Sequence, residues 1–197
     1  VTDDISEPGQ RERLLDLVVE HCLTHGVAEL TLRRLADDIG SNNRMLLYYF
    51  GSKEELIDAA LLGAIDRFPL IRTAIDDIDD PSTPLDARLA TAWRRITHPD
   101  NMAFIRLFFE VFGLAAHNPE PYRRYLDNAG REWTEQIGKS IAAEGLGRTE
   151  ANDLAREIVA LWRGLQFDLL STDDRSGIDR AHDAAAASIA ARSRNTE

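Results

Sequence analysis

Asn42, Asn43 and Arg44 stand side by side, followed by Met45 and then by Tyr48, Tyr49 and Lys53. Arginine presents a bidentate fork to a guanine edge, and asparagine a matched donor and acceptor to adenine. Tyrosine and lysine donate to phosphate oxygens. Between Asn42 and Phe50 there is no carboxylate to repel a phosphate. From Thr31 to Lys53 the basic residues Arg33, Arg34, Arg44 and Lys53 outnumber the acidic Asp37 and Asp38. This excess sits in a chain of 197 residues with a net charge of -11 at pH 7. A duplex is therefore attracted only if these groups gather on one face.

Other reactive residue types are sparse. His21 and His25 have the i, i+4 spacing of helical metal ligands, but no third ligand accompanies them. A solvated helix end, with His25 near the C-terminal dipole, fits them better. There is no nucleophile elbow, glycine-rich phosphate loop or His-Glu-x-x-His motif. No catalytic residue, metal ligand or cofactor is expected, and a helical enzyme is a remote alternative. The single cysteine, Cys22, excludes an internal disulfide and a cysteine metal cluster. On the apolar side of a helix it reads as a small core residue.

The elements that must position the polar block all read as helix, because apolar residues recur at spacings of three and four and no stretch alternates as a strand does. A first helix, about Gln10 to His25, carries Leu14, Leu15, Val18, Cys22 and Leu23 on one face and stops at Gly26. Thr31 caps a short helix whose Leu32, Leu35, Ala36 and Ile39 face inward. Gly40, Ser41 and Asn42 make a turn, and a second short helix runs from about Asn43 to Tyr49. Ser52 and Glu55 form a capping box that opens a long helix through Phe68, which Pro69 interrupts or kinks. Two short helices about a tight turn have helix-turn-helix spacing, with the second free to enter a major groove. The same spacing also fits a plain helical hairpin. Asp76 to Pro84, with its aspartates and two prolines, reads as an exposed linker. Beyond it, helices are expected at about 85–97, 101–116, 119–144, 150–172 and 177–193.

The stretch from Arg13 to Leu56 resembles the DNA-binding domain of the tetracycline-repressor (TetR) family. Gly26, Thr31, Leu35-Ala36, Gly40, Leu46, Tyr48-Tyr49-Phe50 and Ser52-Lys53-Glu54-Glu55-Leu56 carry the resemblance without a gap. It implies that Thr31 is a phosphate-contacting N-cap and that Asn42 takes the place of a turn serine. Asn43, Arg44 and Met45 would then fill the base-reading positions, with Tyr48, Tyr49 and Lys53 on the backbone and Phe50 in the core. Three departures stand out. Ser41 replaces an apolar turn residue, Arg44 and Met45 replace smaller residues, and Leu47 replaces an aromatic that usually contacts phosphate. Losing that donor costs about 1 kcal/mol.

The resemblance implies an all-α fold. Residues 1–52 would form a three-helix helix-turn-helix domain, 53–75 a connecting helix, and 76–197 a helical ligand-binding and dimerisation domain. Two stripes could pair copies of the chain: Leu154, Ile158, Leu161, Trp162, Leu165 and Leu169 on one helix, and Ile178, Ala181, Ala185 and Ile189 on the next, where small residues allow close approach. Either could equally be core. The segment Met102 to Phe112 is apolar nearly all round and reads as a packed central helix or, in family context, as a cavity wall. Phe104, Phe108 and Phe112 would then line it with Trp93, Tyr122, Trp133 and Trp162, and His98, Arg106, Glu110 or His117 could orient a polar ligand group.

The implied partners are a double-stranded DNA operator, a small, largely hydrophobic effector and a second copy of the chain. The expected function is a repressor released from a palindromic operator by that effector. A regulator controlled by a protein partner, without a pocket, is the alternative. No apolar run reaches the roughly 20 residues of a membrane span. The acidic start, Val1 to Asp4, does not read as a signal peptide, and a cytoplasmic protein is expected.

Overall fold

Helices are the only regular secondary structure among the described residues of the computed structural model, 8–127 and 131–194. Val1 to Asp4 lie outside them. The helices are α1 (Pro8–His25), α2 (Leu32–Asp38), α3 (Asn43–Phe50), α4 (Lys53–Ile65), α5 (Pro69–Ile78), α6 (Leu85–Ile96), α7 (Met102–His117), α8 (Arg123–Asp127), α9 (Trp133–Ala142), α10 (Arg148–Ser171) and α11 (Arg175–Arg194). They form two compact units interleaved in sequence. Among the described residues, those up to Arg67 join Ala103–Tyr125, and Phe68–Met102 joins those from Leu126 onward.

In the first unit, Leu14, Val18, Val19 and Cys22 of α1 are buried, as are Leu35 and Ala36 of α2, Leu46 and Phe50 of α3, and Leu56, Ala60, Leu61 and Ala64 of α4. α4 is the spine, packing against both α1 and α3. Beyond its end, Arg67 donates to the Glu20 carboxylate at 2.7 Å and to the Asp16 carbonyl at 2.7 Å, fastening it to α1. The long helix expected through Phe68 ends at Ile65, and Pro69 opens α5 instead. A first-turn position suits proline, whose missing N–H would have no partner there in any case.

The second unit is built on α5, α6, α9, α10 and α11 around Ile78, Leu89, Trp93, Ile137, Ile141, Ile158, Trp162 and Ile189. The linker expected from Asp76 begins later, because α5 continues through Ile78, which is fully buried. The Ile78 carbonyl accepts from the buried Arg88 guanidinium and from Ser140 Oγ at 2.7 Å. Asp77 pairs with Arg95. These tertiary partners outweigh the local preference of aspartates for loop.

The single helix expected over 119–144 is divided. A 3-10 turn spans Glu120–Tyr122, α8 follows, and α9 begins at Trp133. Pro121, inside that turn, cannot donate to a continuous α-helical ladder.

Candidate nucleic-acid interface

Three side-chain caps fix the helices of the first unit. Thr31 Oγ1 accepts from the Arg34 N–H at 3.3 Å at the start of α2. Asn42 Oδ1 accepts from the Met45 N–H at 3.0 Å at the start of α3, and Ser52 Oγ from the Glu55 N–H at 3.1 Å at the start of α4. Each satisfies one of the donors a helix N-terminus leaves unpaired. Between α2 and α3, Gly40 adopts φ 67°, a left-handed conformation that lets the Ser41 N–H reach the Ala36 carbonyl at 2.8 Å. Asn42 thus commits its side-chain oxygen to the turn.

α3 divides sharply by exposure. Leu46 and Phe50 are buried, and the Arg11 guanidinium lies over the Phe50 ring at 5.2 Å. Met45 and Tyr49 are half-buried, whereas Asn43, Arg44, Leu47 and Tyr48 are exposed. The Tyr48 and Tyr49 rings meet edge-to-face at 5.0 Å, which steadies both hydroxyl-bearing rings at the C-terminal end of the helix. Arg33 is exposed on α2, and Lys53 is half-buried at the first position of α4.

One of the two local acids is engaged. Asp38 lies 3.9 Å from the Arg34 guanidinium and 3.5 Å from His21 Nδ1. Burial holds the His21 pKa below its usual value, and the neighbouring His25 ring, 4.7 Å away, adds to this. His21 thus lies buried where α1 meets α2. Among the described residues no three His, Cys, Asp or Glu side chains converge as a metal set would. Cys22 is buried, and burial, with Glu110 adding, pushes its thiol up to about 12.

The turn leading into α2 has a support that sequence reasoning missed. Glu110 of α7 accepts the N–H of Val27 at 2.8 Å and that of Ala28 at 2.7 Å. Gly26, at φ 73°, lies directly against the same carboxylate. Glu110, considered above as a ligand-orienting group, is thus occupied by the backbone. His98 and His117 are also engaged locally, His98 Nδ1 with the Asp100 N–H at 3.3 Å and His117 Nδ1 with the Gly113 carbonyl at 3.2 Å. Arg106 is exposed.

The aromatic residues expected to line a cavity fall into two sets. Phe104, Phe108 and Phe112 on α7, with Tyr122, belong to the first unit, where the Phe108 ring lies 4.6 Å from Phe112 and 6.4 Å from both Phe104 and Tyr125. Trp93, Trp133 and Trp162 belong to the second. Trp93 stacks on His182 at 4.9 Å and donates Nε1 to Asp179 at 2.8 Å. Trp162 donates Nε1 to His182 Nε2 at 3.2 Å and meets Trp133 at 6.1 Å. Trp93 and Trp162 are buried with their N–H groups satisfied, which makes them packed core rather than an open wall.

The residues of the expected dimer stripes divide by burial as well. Leu154, Ile158, Ile178 and Ile189 are buried in their own unit's core, which leaves them no surface for a partner. Leu161, Leu165 and Leu169 pack half-buried against that core, and Ala185 is half-buried. The outer side of α10 exposes Ala160, Gly164 and Phe167, the last at 59%, and α11 exposes Ala181, a member of the expected stripe, with Ala184 and Ser188. The most apolar stripe is the one the protomer uses itself, so an apolarity search finds it first. A single phenylalanine between Gln166 and Asp168 in the sequence gives no such signal.

Comparison with known proteins places this geometry. Residues 15–60 match the bacterial regulatory proteins of the tetR family. A 90-residue stretch, 45% of the chain, is 30% identical to the HTH-type transcriptional repressor KstR2 of Mycobacterium tuberculosis. That stretch also spans only 45% of the repressor's own length. Over nearly the whole chain the fold is shared with solved structures. The multidrug binding protein EbrR complexed with imidazole superposes with a TM-score of 0.71 at 22% identity, covering 96% of this chain and 97% of its own. Salmonella enterica GusR gives 0.72 at 19% identity, covering 95% and 98%.

Proposed function

We propose, for a chain whose residues 15–60 match the tetR family of bacterial regulatory proteins, a transcriptional repressor that binds a palindromic operator as a homodimer. A small apolar effector releases it. The observation that carries this reading is the exposed arc of Asn43, Arg44, Leu47 and Tyr48 on a helix whose other side is locked in a core. The N-terminal end of such a helix reads base edges, and the flanking donors Thr31, Arg33, Asn42, Tyr48, Tyr49 and Lys53 fix its register on phosphates. Similarity to a protein named as a repressor supports repression. The reading gives the chain no catalytic step.

Two recognition helices must sit about 34–36 Å apart to meet successive major grooves, which a dimer provides. The small residues on the outer sides of α10 and α11 allow close approach, and Phe167 supplies apolar area at the seam. Acting on operator DNA places the protein in the cytoplasm. Among the described residues no helix is long and apolar enough to cross a membrane.

Effector control has a path inside the first unit. α7 carries both the Phe104, Phe108 and Phe112 rings and the Glu110 carboxylate that holds the turn before α2. An effector that packs on those rings and prefers a shifted α7 would draw the turn with it, and DNA affinity falls by the difference in effector binding to the two states. Similarity to a multidrug binding protein solved with proflavin supports a small-molecule effector.

The test is a titration of purified protein against its own upstream intergenic DNA and a scrambled duplex at two salt concentrations. Tight, sequence-dependent binding of two protomers per site is expected. Weak binding that is equal on both duplexes and lost with added salt would refute the reading.

A further inference from the structure

Leu47 is 42% exposed in the middle of α3. Successive residues of a helix are turned by about 100°, so Leu47 projects about 40° from Asn43 and about 60° from Arg44. It lies inside the exposed arc, between the two residues suited to base edges. Tyr48 flanks Arg44 on the outer side, half-buried Met45 and Tyr49 follow, and Leu46 and Phe50 face the core. Whatever Asn43 and Arg44 meet, Leu47 meets as well.

Its side chain has no polar atom, so it cannot replace the phosphate donor usual at this position. Beside base edges in the major groove, the apolar group on offer is the C5 methyl of thymine. We propose that Leu47 is a specificity-determining residue that packs on a thymine methyl, so that each operator half-site carries a thymine alongside the bases read by Asn43 and Arg44. This inference rests on the operator reading above. Continuity with the polar arc argues for DNA as the occupant, because an apolar partner would have to bury Asn43 and Arg44 as well.

An operator selected from randomised duplexes is resynthesised with each thymine in turn replaced by deoxyuridine, which removes only the methyl. At one thymine in each half-site the wild-type protein should lose affinity about fourfold per methyl. Leu47→Ala should bind the thymine and uracil duplexes alike, and Leu47→Ser serves as a second variant that keeps the position small. Wild-type indifference to every replacement overturns the proposal. So does a Leu47→Ala protein that stays as methyl-sensitive as wild type, because another side chain would then read the methyl. A protein that does not prefer the selected duplex over a scrambled one removes the operator reading and this inference together, whereas preference without methyl sensitivity removes this inference alone.

Discussion

Glu110 and Val27 are 83 residues apart in sequence, yet the Glu110 carboxylate accepts the Val27 N–H at 2.8 Å. The same oxygen takes the Ala28 N–H at 2.7 Å. A carboxylate on two backbone donors is a charge-assisted pair, stronger than neutral hydrogen bonds. It fixes the turn that ends at the Thr31 cap, and with it the entry of α2.

Removing this support should loosen the DNA-binding unit. Glu110→Ala is expected to lower unfolding free energy by about 2 kcal/mol, since hydrogen bonds to charged groups contribute roughly that much. Operator affinity should fall with it, while Glu110→Gln, which keeps an acceptor oxygen, should lose less of both. Gly26→Ala sets a methyl against the same carboxylate at a positive φ and should destabilise more than Gly40→Ala, whose added carbon meets nothing within 4 Å. Urea unfolding and an operator titration check the series.

Arg44 and Arg33 should separate in kind. Arg44→Ala is expected to cost about 1–3 kcal/mol at particular operator positions and to relax preference there. Arg33→Ala should weaken all sequences alike and reduce the salt slope by about one. Titrations on single-base operator variants at several salt concentrations distinguish the two. Uniform weakening by Arg44→Ala would assign that guanidinium to phosphate.

Phe167 is the large apolar residue most exposed on α10. Phe167→Glu places a charge at the proposed seam and should shift the chain toward monomer in analytical ultracentrifugation, with thermal stability of the protomer little changed. Leu154→Glu should instead unfold the protein, because that side chain is core. A Phe167→Glu protein that still sediments as a dimer would move the interface elsewhere.

Stability should fall in mild acid. Trp162 can only donate, so His182 Nε2 is the acceptor and the ring proton sits on Nδ1, facing Asp183 at 3.1 Å. Burial lowers the His182 pKa, with Arg94 adding to it, against the upward pull of Asp183 and Asp179. As pH drops below about 6.5, the unfolded chain binds a proton that the folded chain excludes, so stability is lost until the folded pKa is passed. His21 is lowered in the same sense. Unfolding free energy should therefore decline as pH falls through about 6.5, and His182→Gln should flatten the decline without abolishing it.

The starts of α2, α3 and α4 follow from local chemistry alone. Thr31, Asn42 and Ser52 act on backbone within three residues, and Gly26, Gly40 and Gly51 mark their turns through a conformation that other residues rarely adopt. The exposed arc of α3 was legible for the same reason, since helical periodicity ties Leu46 and Phe50 to one side. Matters that depend on distant partners were settled by packing of the folded chain. It ended α4 before Pro69, kept Ile78 helical through the buried Arg88, and gave Leu154 and Ile158 to the protomer's own core. It turned Glu110 from a possible ligand group into the brace of a turn 83 residues away. An apolar stripe records that a face is buried but not against what, and a carboxylate records a charge but not its partner. Both choices are made by packing, which sequence spacing does not encode.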